Sequence, residues 1–187
     1  LGYDTMRDFA PVTVVATVPN VLIVHPSVPA KSLAELVKLA KAHPGKLNYG
    51  SGGVGSGSQL GSELFRTLNK LQMVHVPYKG AALALNAMLG GEVDMVTSTV
   101  PATIPLVNAG RIRALAVMAP LRVAALPKVP TTAEAGMPEV VMITWYALFV
   151  PAATRREVLE RLNAEVVKVM NAPDTRATLA KVELDAA

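Results

Sequence analysis

The apolar positions of the chain alternate between the spacing of strands and the spacing of helices. Residues 12–16 and 21–24 are β-branched apolar runs with Pro-Asn between them, and they predict two strands. Further short apolar runs alternate with helical patterns up to residue 150. The runs that predict strands are residues 46–49, 73–76, 93–96, 113–118 and 140–150, and the helical patterns include residues 33–40, 81–89 and 101–108. This alternation predicts an α/β fold with a mostly parallel sheet and helices on both faces.

Several helix starts can be predicted from their capping residues. In a Ser/Thr-x-x-Glu capping box, the hydroxyl accepts a backbone N–H of the first turn and the glutamate reaches back. The pattern occurs at residues 32–35, 131–134 and 154–157. Pro173 and Asp174 predict one more helix start. Ser56 or Ser58 is the N-cap expected for a helix that carries Leu60 and Leu68.

The composition indicates a folded protein and removes several chemistries. Hydrophobic residues make up 51% of the 187 residues and the mean hydropathy is +0.38, so the chain has enough apolar surface for one domain or two small ones. There is no cysteine, which excludes disulfides, thiolate zinc sites and cysteine nucleophiles. Residues 9–30 carry no charge but contain four prolines, and such a segment cannot form a membrane-spanning helix.

The charge of the chain favours small anions over nucleic acid. Lys and Arg number 18 against 14 Asp and Glu, which gives a net charge of +4. The basic residues are scattered singly, without the clusters interleaved with aromatic residues that bind nucleic acid. No nucleic-acid partner is therefore expected, and the mild positive field suits an anionic small molecule.

A glycine-rich segment follows the predicted strand at residues 46–49 and opens the next helix. Residues 50–57 contain five glycines, which let a ligand approach the backbone closely, beside unpaired N–H groups of the first helical turn. Together with the helix dipole, these N–H groups make a site for an anion. The alternative is a tight strand-to-helix turn that binds nothing.

The same segment matches a dinucleotide fingerprint, Gly50-x-Gly52-x-x-Gly55. That fingerprint requires an acidic residue about 20 positions later for the ribose, and the next strand ends without one. Lys79 would suit a 2′-phosphate, so an NADP-dependent oxidoreductase stays open as the alternative function. A nucleophile elbow is absent, and the three histidines, His25, His43 and His75, lack metal-ligand spacing. No catalytic residue, metal site or cofactor is expected.

Two further strand ends offer donors without an acidic residue among them. Tyr78, Lys79 and Gly80 follow one strand and open a helix, with Lys79 as a candidate counter-charge. Residues 97–99 carry three hydroxyls after the next strand, which also suit helix capping. Because the carboxyl ends of parallel strands meet at one edge of a sheet, the three segments predict a surface that receives an anion.

Motifs along the whole chain resemble one family. They are Asp8-Phe9-Ala10-Pro11-Val12, Leu47-Asn48-Tyr49-Gly50-Ser51, His75-Val76-Pro77-Tyr78-Lys79-Gly80, Gly90-Gly91-Glu92-Val93-Asp94, Arg113-Ala114-Leu115-Ala116-Val117 and Val129-Pro130-Thr131-x-x-Glu134-Ala135-Gly136. Together they are similar to the tripartite tricarboxylate transporter receptors, the Bug solute-binding proteins. The resemblance implies a periplasmic receptor of two α/β lobes and a hinge, with a type II periplasmic-binding-protein fold. Such a receptor closes on a small carboxylate and delivers it to membrane transporter subunits, and we expect it to be monomeric at full length.

The resemblance also implies a domain division and a ligand site. Family chains are longer at both ends, and this chain starts at Leu1 without an initiator Met or a basic signal segment. We therefore expect an entry strand at residues 1–20, the second ligand-binding lobe at 21–140, and a return strand with first-lobe helices at 141–187. The ligand-binding residues carried over from the family are Ser51, Gly52, Gly53, Ser56, Tyr78, Lys79, Gly80, Thr97 and Ser98. Many relatives have an Asp-Asn pair where this chain has Thr97-Ser98-Thr99, which favours a plain carboxylate over an amino acid.

A third function class shares the two-lobe fold. The ligand-sensing domain of a cytosolic transcription regulator has the same architecture, and it would need a helical DNA-binding region. No such region can be recognised in the sequence. The sequence therefore favours a binding protein without catalysis.

Overall fold

A computed structural model of the chain describes residues 2–181 and 183–186. Strands and helices alternate through most of it. The strands are β1 (Phe9–Val24), β2 (Asn48–Ser51), β3 (Val74–Pro77), β4 (Met95–Thr99), β5 (Arg113–Val117), β6 (Ile143–Pro151) and β7 (Asp185–Ala186). The helices are α1 (Thr5–Asp8), α2 (Leu33–Ala42), α3 (Gly57–Leu68), α4 (Ala81–Leu89), α5 (Val100–Asn108), α6 (Arg156–Met170) and α7 (Pro173–Ala180).

The chain divides into two compact units. One is Pro19–Ile143, and the other combines Leu1–Val18 with Thr144–Ala187. The sequence placed the corresponding boundaries after residues 20 and 140. The assignment of these segments to two lobes of a longer receptor stays a prediction.

The sheet of the Pro19–Ile143 unit has the strand order β3-β2-β4-β1-β5. β2 is parallel to both β3 and β4, whereas β1 is antiparallel to β4 and to β5. The four strands β2 to β5 therefore run in one direction, with β1 inserted between β4 and β5 in the opposite one. The expectation of a mostly parallel sheet is correct for β2 to β5 and wrong for β1. A pattern of alternating strands and helices does not specify where a strand from outside that series inserts.

β1 is one continuous strand and not the two strands predicted from its apolar runs. Its pairing changes at the Pro-Asn step: Thr17 pairs with Asp185 of β7, and from Asn20 onward the strand pairs with β4. Pro19 lies between the two ladders, where its missing N–H removes no ladder hydrogen bond. The Asn20 N–H donates to the carbonyl of Met142, at 3.1 Å. The proline therefore marks a change of partner within an extended strand.

The core of the Pro19–Ile143 unit lies on both faces of this sheet. Successive side chains of β1 point to opposite faces, so Leu22 belongs to one apolar cluster and Ile23 to the other. Helices α2 and α3 pack on the first face, for example through Phe65, and α4 and α5 on the second, for example through Met88. The expectation of helices on both faces is correct.

β2 and β4 begin about two residues later than predicted. The Asn48 N–H donates to Asp94 Oδ2 at 2.8 Å, and the Asp94 N–H donates to Asn48 Oδ1 at 2.8 Å. This reciprocal pair joins the amino ends of the two strands. Because polar side chains make these hydrogen bonds, a prediction based on runs of apolar residues does not detect them.

The three capping boxes have three different outcomes. Ser32 caps α2 as predicted, and Glu35 reaches back to the N–H of Lys31. Thr131 and Glu134 also form a capping box, but only a turn follows, since Gly136 at φ +83° ends it. The helix predicted there is wrong. The third cap is wrong as well, because α6 begins after Arg155 and has no side-chain cap bond.

The unit of Leu1–Val18 and Thr144–Ala187 has little buried surface. Helices α6 and α7 contain no buried residue among those described. Trp145 of β6 is 59% exposed and Phe149 is 43% exposed. Asn163 of α6 donates to the carbonyl of Val12 at 2.7 Å. Within residues 2–181 and 183–186, no helix has the length and apolar character needed to span a bilayer.

Candidate functional site

Three neighbouring strands bring the three predicted donor segments to one edge of the sheet. β3, β2 and β4 lie side by side in parallel, so their carboxyl ends meet at the same edge. Each strand is followed directly by the amino end of a helix, α3 after β2, α4 after β3 and α5 after β4. The positive ends of three helix dipoles therefore start from this edge.

The glycine loop, defined as residues 51–57 from the last residue of β2 to the first of α3, packs against the start of α4. The Gly80 N–H donates to the Gly52 carbonyl at 3.1 Å, and the Tyr78 N–H donates to the Ser51 carbonyl at 2.9 Å. A Cβ added at Gly52 would lie 2.9 Å from the backbone nitrogen of Ala81, so the contact requires glycine. The glycine loop and the segment Tyr78 to Gly80, predicted as separate parts of the site, are thus in direct contact.

Ser51 supports the glycine loop from beneath. Its side chain is buried, and its hydroxyl oxygen lies 3.2 Å from both the N–H and the carbonyl oxygen of Gly53. The same oxygen lies 2.7 Å from Nε2 of His75, on the neighbouring strand β3. Because these partners engage the hydroxyl, the Ser51 side chain shapes the loop.

The hydroxyl of Ser51 is one member of a chain of polar contacts below the loop. The His75 ring stacks on the Tyr49 ring, with centroids 5.0 Å apart. The Tyr49 hydroxyl donates to Glu63 of α3, and Glu63 pairs with Arg66 at 2.7 Å. We call Tyr49, Ser51, Glu63, Arg66 and His75 the support network.

Tyr49, Glu63 and Arg66 of the support network shift one another's pKa values. Burial, followed by the hydrogen bond to Glu63, raises the pKa of Tyr49 well above its ordinary value. Burial raises the pKa of Glu63, but the hydrogen bonds from Arg66 and Tyr49 outweigh it and lower that pKa overall. At neutral pH the network therefore contains a neutral phenol, a carboxylate and a guanidinium.

Ser56 begins α3 as its N-cap, which resolves the choice between Ser56 and Ser58. Its hydroxyl accepts the Gln59 N–H at 3.3 Å and donates to the Gly53 carbonyl at 2.7 Å. Gln59 in turn accepts the Gly55 N–H at 2.6 Å. These contacts fix the far end of the glycine loop to the helix.

The first N–H groups of α3 and α4 remain available to a ligand. In the part of the chain that the structure describes, the N–H groups of Gly57, Ser58 and residues 81–83 donate to no turn, loop or cap acceptor. Gly80 caps α4 without a side chain at φ +128°, and Thr99 forms no side-chain cap on α5. We call the N–H groups of residues 57–58 and 81–83, together with Lys79 after β3 and Ser98 near the carboxyl end of β4, the open edge.

The remaining predicted residues separate into buried and accessible ones. Thr97 is buried and accepts a hydrogen bond from Ser62 of α3 at 3.0 Å, so it joins β4 to the helix. Ser98 is half-buried, and Lys79 is exposed with no ion pair in the described chain. The Tyr78 hydroxyl lies 3.4 Å from Glu92, and burial is the largest cause that raises the pKa of Tyr78.

The support network was missed by the sequence reading, which gave His75 no role. The available signal is the parallel ladder, because register pairs Tyr49 with His75 and so brings the histidine beside β2. Strand pairing cannot be derived from a single apolar run. In the part of the chain that the structure describes, no group of three or more His, Asp or Glu residues is arranged to hold a metal ion.

The chain matches a known family over its whole length. The sequence profile of the "Tripartite tricarboxylate transporter family receptor" family matches residues 1–187. A relative from Pseudomonas sp. strain P51, the UPF0065 protein in the tcbD-tcbE intergenic region, is 39% identical over 186 residues. The alignment covers 99% of this chain and 55% of that protein, so the chain spans about half of the relative's length.

Solved structures are similar to the chain in both sequence and fold. The R. palustris protein Rpa4515, solved with adipate, superposes with a TM-score of 0.92 at 37% identity, over 99% of this chain and 62% of that one. MatC from Rhodopseudomonas palustris, solved with malate, gives 0.89 at 30% identity, over 99% and 63%. The periplasmic binding protein BugD gives 0.88 at 25% identity, over 99% and 62%. These neighbours confirm the expected periplasmic-binding-protein fold.

Proposed function

The chain belongs to the tripartite tricarboxylate transporter receptor family, and on that premise we propose that it binds a small carboxylate at the open edge. The family and its structural neighbours are binding receptors and not enzymes. The oxidoreductase alternative built on Gly50, Gly52 and Gly55 is therefore not retained. Because the chain spans only part of its relatives, the ligand and the partners of the whole protein are part of the proposal.

The observation that carries the proposal is the meeting of three helix starts at one sheet edge. The unpaired N–H groups of residues 57–58 and 81–83 are hydrogen-bond donors, and no acidic residue occurs at these positions. A well-placed hydrogen bond from such a group to a carboxylate contributes about 1.5–3 kcal/mol. Two or three such bonds supply about 3–9 kcal/mol. Micromolar binding corresponds to about 8 kcal/mol net of the cost of association, so the backbone donors act together with Lys79 and with apolar contacts to the ligand. Lys79 adds a positive charge at the start of α4.

The predicted site residues take two roles in this proposal. Some hold the backbone donors in position, and these are Ser51, Gly52, Gly53, Ser56, Gly80 and Thr97. Tyr78 belongs with them, since its N–H donates to the Ser51 carbonyl and its hydroxyl lies against Glu92. The others, Lys79 and Ser98, face the ligand. The ligands of Rpa4515 and MatC, adipate and malate, are both dicarboxylates, which supports a carboxylate ligand for this chain.

The setting of the whole protein follows from the family. We propose that it works outside the cytoplasm, as a monomer at full length, and hands its ligand to the membrane subunits of a tripartite tricarboxylate-type transporter. The similarity to BugD, a periplasmic binding protein, supports this location.

Calorimetric titration and thermal melting test the proposal directly. The 187-residue chain and a longer protein that contains it are each titrated with adipate and malate. Dimethyl adipate, which has the same carbon chain without charge, is the matched control. At a concentration of 100 Kd, a ligand stabilises the folded state by about 2.7 kcal/mol, which corresponds to about 5–10 °C in Tm.

The expected result is a rise in Tm with a dicarboxylate and none with its diester. Stabilisation of either protein by NADP, in the absence of any response to mono- or dicarboxylates, would contradict the proposal. Equal responses to adipate and dimethyl adipate would contradict it too, because the open edge recognises charge.

A further inference from the structure

The support network contains a histidine to which no role has yet been given. We propose that His75 is a positioning residue: it holds the glycine loop in its ligand-ready shape through the hydroxyl of Ser51. The inference deepens the proposed function and rests on it only for the effect on ligand affinity. Its structural part, the hold on the loop, can be tested without a ligand.

Three groups lie within hydrogen-bond distance of one buried oxygen. Ser51 Oγ lies 3.2 Å from the Gly53 N–H donor, 3.2 Å from the Gly53 carbonyl oxygen and 2.7 Å from His75 Nε2. A hydroxyl has one proton to donate and two lone pairs to accept with. It cannot donate to both the Gly53 carbonyl and the imidazole.

The histidine therefore decides the direction of the hydroxyl proton. When Nε2 carries a proton, it donates to Ser51 Oγ, and the hydroxyl proton turns to the Gly53 carbonyl. Both backbone groups of Gly53 are then bonded to one oxygen. When Nε2 is unprotonated, it accepts the hydroxyl proton, and only the Gly53 N–H is held. In either state the short contact with His75 fixes where Ser51 Oγ lies.

The imidazole is itself held on two sides. It stacks nearly parallel on Tyr49, at an interplanar angle of 16°. Tyr49 is tied by its hydroxyl to Glu63, which pairs with Arg66. Through these contacts the ring is linked to Glu63 and Arg66 of α3. Because the ring is anchored in this way, the positions of α3 and β3 determine where Ser51 Oγ lies beneath the loop.

Gly53 is the residue through which the effect reaches the open edge. Its φ of +123° is a conformation that glycine adopts and that hydrogen bonds must select among others. Its carbonyl also accepts from the Ser56 hydroxyl, at 2.7 Å, and from the Ser56 N–H, at 3.2 Å. Ser56 is the N-cap of α3, so the placement of Gly53 sets where the first N–H groups of that helix lie.

Two variants that differ by one methylene group test the inference. In Gln, the side-chain amide nitrogen is separated from Cα by the same number of bonds as Nε2 is in His75. The Asn side chain is one bond shorter, so its amide does not reach Ser51 Oγ. We expect His75→Asn to speed hydrogen exchange at the Gly53 amide by about five- to tenfold, because Ser51 Oγ is no longer fixed in place and holds the Gly53 N–H less well. His75→Gln should stay within about twofold of wild type. The same variants in a Ser51→Ala background should then differ by less than about twofold, because the link is already broken.

Adipate affinity is measured on the same proteins. The inference predicts that affinity falls in His75→Asn and is rescued in His75→Gln, although both variants lose the ring that stacks on Tyr49. Equal Gly53 exchange in the Asn and Gln variants would overturn it, as would an unreduced His75→Asn effect in the Ser51→Ala background. If the exchange results are as expected and wild-type protein binds no carboxylate, the proposed function fails while the hold of His75 on the loop stands.

Discussion

The two sides of the glycine loop differ in what their polar groups do. In the support network below it, the polar atoms are joined to one another, and no buried side-chain nitrogen or oxygen in the described chain lacks a partner. At the open edge, backbone donors and Lys79 have no internal acceptor. The comparison shows that a hydroxyl in a glycine-rich loop can stabilise the loop by hydrogen bonds to its backbone, and need not bind the ligand. Ser51 and Thr97 belong to the supporting side, although all nine predicted residues were assigned to the ligand.

The largest expected effect comes from a substitution that separates the loop from α4. Gly52→Ala places a Cβ 2.9 Å from the nitrogen of Ala81, and neither backbone can move without losing the Gly80–Gly52 hydrogen bond. We expect a loss of about 2–3 kcal/mol in the free energy of unfolding, measured by urea denaturation, and loss of adipate binding. Gly55→Ala is the matched control, because its Cβ would meet nothing within 4 Å. Its φ of +80° costs only about 1 kcal/mol.

A smaller loss of stability should distinguish two hydroxyls of β4. Thr97→Val removes the acceptor of the buried Ser62 hydroxyl, so we expect a loss of about 1–3 kcal/mol in the free energy of unfolding. Ser98→Ala changes a half-buried residue of the open edge and should alter stability by less than about 0.5 kcal/mol. Equal losses of stability in the two variants would break the distinction between the supporting side and the open edge.

A change in affinity without a change in stability is expected at Lys79. Lys79→Gln removes a positive charge at the start of α4, and we expect adipate affinity to fall about three- to tenfold with an unchanged Tm. Lys38→Gln is the matched control, because Lys38 is an exposed lysine on α2. An equal loss of affinity in both variants would assign the effect to net charge.

The smallest expected effect is a change in acid stability. The pKa of Glu63 is lowered in the folded protein, because the hydrogen bonds from Arg66 and Tyr49 outweigh burial. Its contribution to stability is complete above the pKa of an unfolded glutamate, about 4.3, and is lost as the pH falls through the lower folded value. We expect wild-type stability to decline below about pH 5, and Glu63→Gln to decline less steeply. Glu139→Gln, at an exposed position, should keep the wild-type slope.

The sequence predicted the fold through local patterns and failed where partners are remote. The helices α4 and α7, and the N-cap of α2 at Ser32, followed from residues within one turn. The antiparallel insertion of β1 and the continuity of that strand depend on partners more than 70 residues away in β4 and β5. The Thr131 capping box formed without its helix, because Gly136 ended the turn.

The sequence predicted that three segments meet at one edge of the sheet, but it did not predict the partners of their side chains. Parallel strand ends followed by helices indicated this edge, and the structure brings the three segments together there. Which hydroxyls point inward is decided by register, which pairs β2 with β3 and places His75 beside Ser51. The unpaired N–H groups of α3 and α4 carry no residue-specific pattern, since any sequence that starts a helix has them.

The central claim is that the open edge receives the carboxylate. Amide chemical-shift mapping during an adipate titration tests it most directly, because it reports on backbone N–H groups themselves. The account predicts that the largest shifts occur at residues 57–58 and 81–83 and at Lys79, with small shifts at the N-terminus of α2. Dimethyl adipate should leave these amides unchanged. Shifts concentrated around Lys31 and Ser32 at the start of α2, with none at the open edge, would contradict the account.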